Sequence, residues 1–116
     1  MADQRKRVPA RFWKSQAGAE PVREWLQSLS RDDRRTIGID VAMVEYGWPV
    51  GMPTCRPMGG GLLEVRSDLG DKRTSRVLFC FADGQMVLLH GFIKKSAKTP
   101  KEELDIARKR KRELEQ

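Results

Sequence analysis

Residues 62–95 constrain this chain most. They read as a strand (LLEVRS), a turn, a second strand (RTSRVLFCF), an Ala-Asp-Gly-Gln turn and a third strand (QMVLLHGFIKK). Asp83-Gly84 between apolar runs is a strong hairpin signal. With those two residues in the turn, Phe81 faces Met86 and Arg76 faces Gly91. Alternation then puts Arg76, Leu78 and Cys80 on one side with Val87, Leu89, Gly91, Ile93 and Lys95. Val77, Phe79 and Phe81 share the other side with His90, Phe92 and Lys94. On this register Arg76 and Lys95 converge, and Gly91 leaves room over the sheet for a ligand. A slip of one residue reverses the assignment.

Arg66, Arg76, Lys94 and Lys95 are carried in or beside these apolar strands. Burying charge is costly, so several cations on one small sheet suggest a site built for a polyanion. Each has a plainer alternative. Arg76 and Arg66 can serve as ion-pair partners of Glu64, and Lys94 and Lys95 can end the strand in solvent. His90, on an apolar strand, reads as a packed core histidine before it reads as a catalyst.

The flanking elements follow from periodicity and punctuation. Residues 8–14 form a first strand, broken by Gln16-Ala17-Gly18-Ala19. A helix starts at Pro21, which suits a first helical position, and Val22, Trp25, Leu26 and Leu29 make one apolar face. Ser30 ends it and caps the next helix through the S-x-x-D pattern with Asp33. Ile37, Val41 and Val44 form one stripe of that second helix. Ile39, Met43 and Tyr46 form another, so it should be covered on more than one side. Gly47 and Pro49 stop it. Residues 48–61 (WPVGMPTCRPMGGG) read as a loop, with Gly59-Gly60-Gly61 as a flexible approach to the next strand rather than a phosphate cradle. A last helix begins at Thr99-Pro100, capped by Thr99 with Glu102. Its apolar stripe (Leu104, Ala107, Leu114) is thin, and Asp105 can pair with Lys109. The basic run 108–112 is a solvated face, an RNA- or ribosome-contacting face, or a docking face for an acidic partner.

With 116 residues, the chain is expected to be a single domain spanning 1–116, with 1–7 and 113–116 mobile. Charged residues make up 34% and the net charge is +7, against about 25% charged in ordinary globular chains. An anionic partner is favoured: nucleic acid, an acidic protein or a membrane surface. No apolar run is long enough for a spanning helix, and of these three anionic partners the membrane is the one not expected. The basic start, MADQRKRVPARFWK, lacks a signal peptide's apolar core, and a cytoplasmic location is expected. Cys55 and Cys80 should then be free thiols, Cys80 a small buried hydrophobe. Cys55, Cys80 and His90 lack zinc-ligand spacing, so neither metal nor cofactor is expected.

Metal-free RNA cleavage needs a base for the 2′-OH proton, cations for the crowded phosphate and an acid for the leaving 5′-oxygen. One histidine cannot supply a two-histidine pair. Lysine serves as a base only if its pKa falls, as neighbouring cations favour. Arginine stays protonated and suits bidentate phosphate contact. The set suits charge stabilisation better than fast proton transfer.

The order strand–helix–helix–three strands–helix resembles the RelE/ParE superfamily of bacterial toxins. The phrases PVREWLQSL, IGIDVAMVEYGWPVGMP, GLLEVRSD, RVLFCF and LLHGFIKKSAKTPKEELDIARKR resemble its phage-derived HigB-like branch. The resemblance implies a RelE-like α+β fold. In it a small, twisted, antiparallel-rich sheet carries two N-terminal helices on one face, followed by a C-terminal basic helix. It also implies the toxin of a type II toxin–antitoxin pair, a ribosome-dependent mRNA endonuclease acting by 2′-OH attack. Its partners would be mRNA on the ribosome and a helix-turn-helix antitoxin. Carried over by position, Arg76 matches the arginine of the YRV/FRL strand motif and Arg66 that of the E-L/V-R phrase. Lys95 ends the last strand's basic motif, beside Lys94. Arg73, Arg108, Lys109 and Lys111 are candidates for substrate contact. RelE-type enzymes place lysines on the strand that here carries Leu62 and Glu64, and a tyrosine where this chain has Thr99 and Lys101. The base is therefore left open between Lys94, Lys95 and the ribosome. ParE relatives lack the nuclease site and poison gyrase, so a non-catalytic gyrase inhibitor and a nucleic-acid-binding regulator stand as alternatives.

Overall fold

A computed structural model describes residues 5–95 and 99–115. The order is β1 (Ala10–Phe12), α1 (Pro21–Ser28), α2 (Arg31–Gly47), β2 (Cys55–Gly59), β3 (Leu62–Gly70), β4 (Arg73–Ala82), β5 (Gln85–Lys94) and α3 (Lys101–Leu114). The five strands make one mixed sheet ordered β1-β5-β4-β3-β2. Only the β1–β5 pair is parallel. This α+β arrangement agrees with the RelE-like expectation.

The helices divide between the two faces. Val22 of α1 and Ile37, Val41 and Val44 of α2 pack with Val65, Val77, Phe79, Met86 and Leu88. Ala107 of α3 packs with Leu62, Leu78, Cys80, Val87, Leu89 and Phe92. Local signals place the elements. Pro21 opens α1, and Ser30 Oγ accepts the Asp33 amide at 3.2 Å to cap α2. Asp83 and Gly84 have φ of 54° and 75°, the pair of positive values a tight hairpin turn requires.

Several expectations are corrected. Residues 55–59 are a strand, not loop. Gly59, Gly60 and Gly61 all have positive φ, and they turn the β2–β3 hairpin instead of merely leading into β3. The outer stripe of α2 is uncovered: Ile39, Met43 and Tyr46 are exposed, because the sheet covers α2 from one side only. Thr99 does not cap α3, whose cap position is Pro100 with no side-chain hydrogen bond. Asp105 pairs with Lys101 at 3.1 Å rather than with Lys109. Both cysteines are free and buried, and burial pushes their thiol pKa values up.

The expected hairpin register holds at Phe81–Met86 and then shifts. Phe79 pairs with Leu88 but Leu78 with His90, so β5 carries one extra residue, Leu89, in a bulge. Arg76 therefore faces Phe92, and Val77 faces Gly91. His90, Phe92 and Lys94 pass to the Arg76 side and Ile93 leaves it, so the shared strand face expected for Arg76 and Lys95 does not hold. Gly91 passes to the α1 side, where a Cβ would lie 2.4 Å from the Trp25 ring. The space above Gly91 is thus filled by tryptophan, not kept for a ligand.

Of the ends expected to be mobile, 1–4 and 116 lie outside the described residues. The Arg7 and Val8 amides donate to the Glu45 carbonyl at 2.7 and 3.1 Å, and α3 runs through residue 113 to Leu114. Among the described residues no helix is long and apolar enough to cross a membrane.

Candidate functional site

The α3 side of the sheet carries a row of charge. Cross-strand partners share a face, and the pairs Arg56–Glu64, Glu64–Leu78 and Arg66–Arg76 run across β2, β3 and β4. Arg76 is 1% exposed and Glu64 is fully buried. A guanidinium this deep requires a counter-charge, and the structure supplies it. Arg76 Nη1 lies 3.8 Å from Glu64 Oε1 and donates to Thr99 Oγ1 at 2.8 Å. Thr99 in turn donates to Glu64 Oε2 at 2.5 Å. One hydroxyl therefore bridges both ions, which explains why Thr99 is unavailable as a helix cap. Glu64 gathers a second cation, with Arg66 Nε 3.3 Å from Oε1. Both plainer alternatives, Arg76 and Arg66 as partners of Glu64, are therefore realised.

These pairs do not remove the arginines from the surface chemistry. Arg66 and Arg76 line an open cleft of about 520 Å³ together with Lys95, Asp40, Asp68, Thr54 and Thr74. The cleft lies beyond the end of β2, where β3 loses its outer neighbour after Val65. Lys95 is exposed and reaches the cleft from the end of β5. Burial lowers the Arg76 pKa, Arg66 and Arg56 lower it further, and Glu64 opposes them. The ion still remains protonated at physiological pH. A buried, clamped guanidinium beside an exposed ammonium suits an anion whose charge grows during reaction, because the fixed charge needs no reorganisation.

The remaining candidates sit elsewhere. Lys94 faces Thr74 across β5–β4 and does not line the cleft. Arg73 grips Asp33 with two hydrogen bonds of 2.7 and 3.1 Å, tying β4 to the start of α2. This pairing holds the Asp33 carboxyl below the usual carboxylate range. Arg108 donates to the Met58 carbonyl at 3.4 Å, Lys111 pairs with Glu115, and Lys109 is exposed. The basic run is thus not uniformly solvated. Arg110 donates to the Leu89 carbonyl at 2.7 Å and lies 5.1 Å from the Trp13 ring centroid. His90 is half-buried, bonded to Glu103 of α3 and stacked on Phe92, so it clamps α3 to the sheet.

Sequence reasoning missed three residues here. Arg56 joins the arginine row only because residues 55–59 are a strand, and the alternation of buried Cys55 with Arg56 was the available signal. Asp40 and Asp68 bring carboxylates into the cleft. Asp40 comes from α2 in the stretch whose outer stripe the sequence suggested would be covered, and no local pattern set it apart. Among the described residues, no group of three His, Cys, Asp or Glu side chains is placed to hold a metal ion.

The fold and cleft define a small α+β domain that offers buried and exposed cations at one end of its sheet. Residues 24–112 match the family described as "Phage derived protein Gp49-like (DUF891)". The chain belongs to that family, one of RelE/toxin-like proteins. No curated protein matches the chain.

Proposed function

We propose that this protein is the toxin of a type II toxin–antitoxin pair, of the HigB-like branch, and that it cleaves mRNA on the ribosome without a metal. The observation that carries the reading is the joint lining of one open cleft by Arg66, Arg76 and Lys95. In this reading Arg76 and Arg66 hold the non-bridging oxygens of the scissile phosphate. The 2′-OH loses its proton to a base and attacks phosphorus. The P–O5′ bond breaks, Lys95 gives a proton to the leaving 5′-oxygen, and a 2′,3′-cyclic phosphate remains. The base comes from the ribosome or, given its place in the cleft, from Asp40; Lys94, outside the cleft lining, is the weaker of the bases considered from sequence. The proposed setting is the cytoplasm, with a helix-turn-helix antitoxin as neutralising partner.

Lys95 supplies the cleaner test because it is exposed and its loss should spare the fold. On induction in bacteria with RNA 5′-end mapping, the wild type should give codon-phased cuts confined to translated messages. Lys95→Ala should cut about 10²-fold more slowly, the order expected for a lost charge-stabilising or proton-donating group. Arrested growth with uncut messages would sink the reading.

A second reading, a non-catalytic toxin that inhibits gyrase, draws support from the tie of Arg76 to Glu64 and Thr99, since a cation held this way can be purely structural. It predicts linearised plasmid on gyrase trapping, intact mRNA, and no effect of Lys95→Ala on growth arrest.

A further inference from the structure

A second concavity adjoins the cationic cleft. It encloses about 480 Å³ and is lined by Trp48, Val50, Met52, Cys55, Arg56 and Leu63. Its lining is almost wholly apolar apart from Arg56. The segment joining α2 to β2 divides the two spaces, with Pro53 and Thr54 on the cleft side and Met52 and Cys55 on the apolar side. Met52 is 71% exposed, an unusual place for a large apolar side chain with no structural duty. Trp48 is half-buried and braced edge-on by Phe81, with ring centroids 4.7 Å apart. A braced indole is a rigid platform, and a thioether adapts to flat aromatic surfaces.

We propose that this pocket receives an unstacked nucleobase of a single-stranded RNA whose neighbouring phosphate lies in the cationic cleft. The inference deepens the nuclease reading and rests on it. The occupant must combine a flat apolar body with negative charge on each side of it. The lining supplies Trp48, Met52 and Leu63 for the first, and Arg56 with the adjoining Arg66 and Arg76 for the second. Arg56 pairs with Glu64 across β2–β3, and Arg66 with Arg76 across β3–β4, so the three cations share one face of the sheet. A strand from a protein partner fits less well at this edge. The Thr54 carbonyl accepts the Arg66 amide, so alternation turns positions 55 and 57 outward. The Cys55 amide is already bonded to the Gly51 carbonyl, and Pro57 has no amide hydrogen. Edge pairing through β2 therefore lacks its donors.

The test compares two probes on the full-length protein. One is a 2′-O-methylated RNA trinucleotide, which cannot be cut by 2′-OH attack. The other has the same backbone with abasic sugars. Binding is read by anisotropy and by indole fluorescence. The base-bearing probe should bind about tenfold more tightly, the order expected of one base–aromatic stack, and should quench tryptophan emission. Met52→Ser, uncharged and at a site exposed enough to spare the fold, should narrow that difference while leaving the abasic probe's affinity unchanged. Equal binding of the two probes overturns the base pocket and leaves the nuclease reading standing. Failure of both probes to bind also overturns the base pocket, whereas the nuclease reading falls only if induced cells show no codon-phased cuts. Loss of a protein partner's binding in Met52→Ser, with trinucleotide binding intact, overturns the proposal by giving the pocket to that partner.

Discussion

The two faces of the sheet are held by different physics. Under α1 and α2 the core is apolar, with Ile37, Val44, Val65, Val77 and Phe79 all at 0–1% exposure, and polar ties (Asp33 to Arg73, Glu45 to the Ala10 amide) stand at its edges. Under α3 the apolar patch is flanked by polar ties: Thr99 to Glu64 and Arg76, His90 to Glu103, and Arg110 to the Leu89 carbonyl. Apolar burial is non-directional and tolerant. Buried polar networks are directional and costly when broken. The first face therefore serves as foundation, and the second holds charged groups at fixed positions. Placing the cationic site on the second face lets chemistry vary without touching the main core.

That contrast is most directly broken by removing Glu64. Glu64→Ala leaves Arg76 buried without its counter-ion and should cost about 3–5 kcal/mol, read from the urea midpoint. A loss under 1 kcal/mol would show that water already compensates the pair. On the apolar face Ile37→Ala should cost about 2–5 kcal/mol through a cavity. The cleft should be unaffected, so the residual folded protein should keep its activity. Gly91→Ala drives a methyl into the Trp25 ring and should cost about 1–3 kcal/mol by overpacking. A neutral outcome by thermal melting would refute the bulged register. Thr99→Val removes the hydroxyl between Arg76 and Glu64 at similar volume. It should destabilise by about 1–3 kcal/mol and slow cleavage, if that is the activity, more than Ile37→Ala does.

The smallest effect concerns Asp33 and Arg73. The folded-state pKa of Asp33 is depressed, so its pairing stabilises the fold at pH values above the ordinary aspartate pKa of about 3.9. That contribution is lost as pH falls through the folded-state value. Asp33→Asn should flatten this acid limb in a pH series of denaturant melts. An unchanged limb would mean that the Arg73–Asp33 pair adds nothing to stability and that the bond of Arg73 to the Leu69 carbonyl of β3 is its only contributing tie.

Much of the molecule was legible one segment at a time. Pro21, Ser30 with Asp33, and Asp83-Gly84 carry their own backbone requirements, so α1, α2 and the β4–β5 turn could be placed from local rules. The inward stripe Ile37, Val41 and Val44 was equally plain. Residues 55–59 were not, because Pro57 and the glycines beside it mark a loop by composition, and only pairing with β3 makes an edge strand of them. The bulge at Leu89 is likewise invisible to alternation, which assumes an unbroken period of two.

For the site, the sequence alone determined the inventory: which cations sit among apolar strands, and that a carboxylate two positions from Arg66 could neutralise them. It also determined that only one histidine is present for acid–base work. Tertiary structure decided who meets whom. It sent Thr99 to Arg76 instead of to α3, gave Gly91 to Trp25, tied Arg73 to Asp33, and placed Asp40 and Lys95 in the lining of one cleft. The reason is that ion pairs and clefts are made between segments distant in the chain. Their geometry depends on strand register and helix placement, which local propensity does not encode.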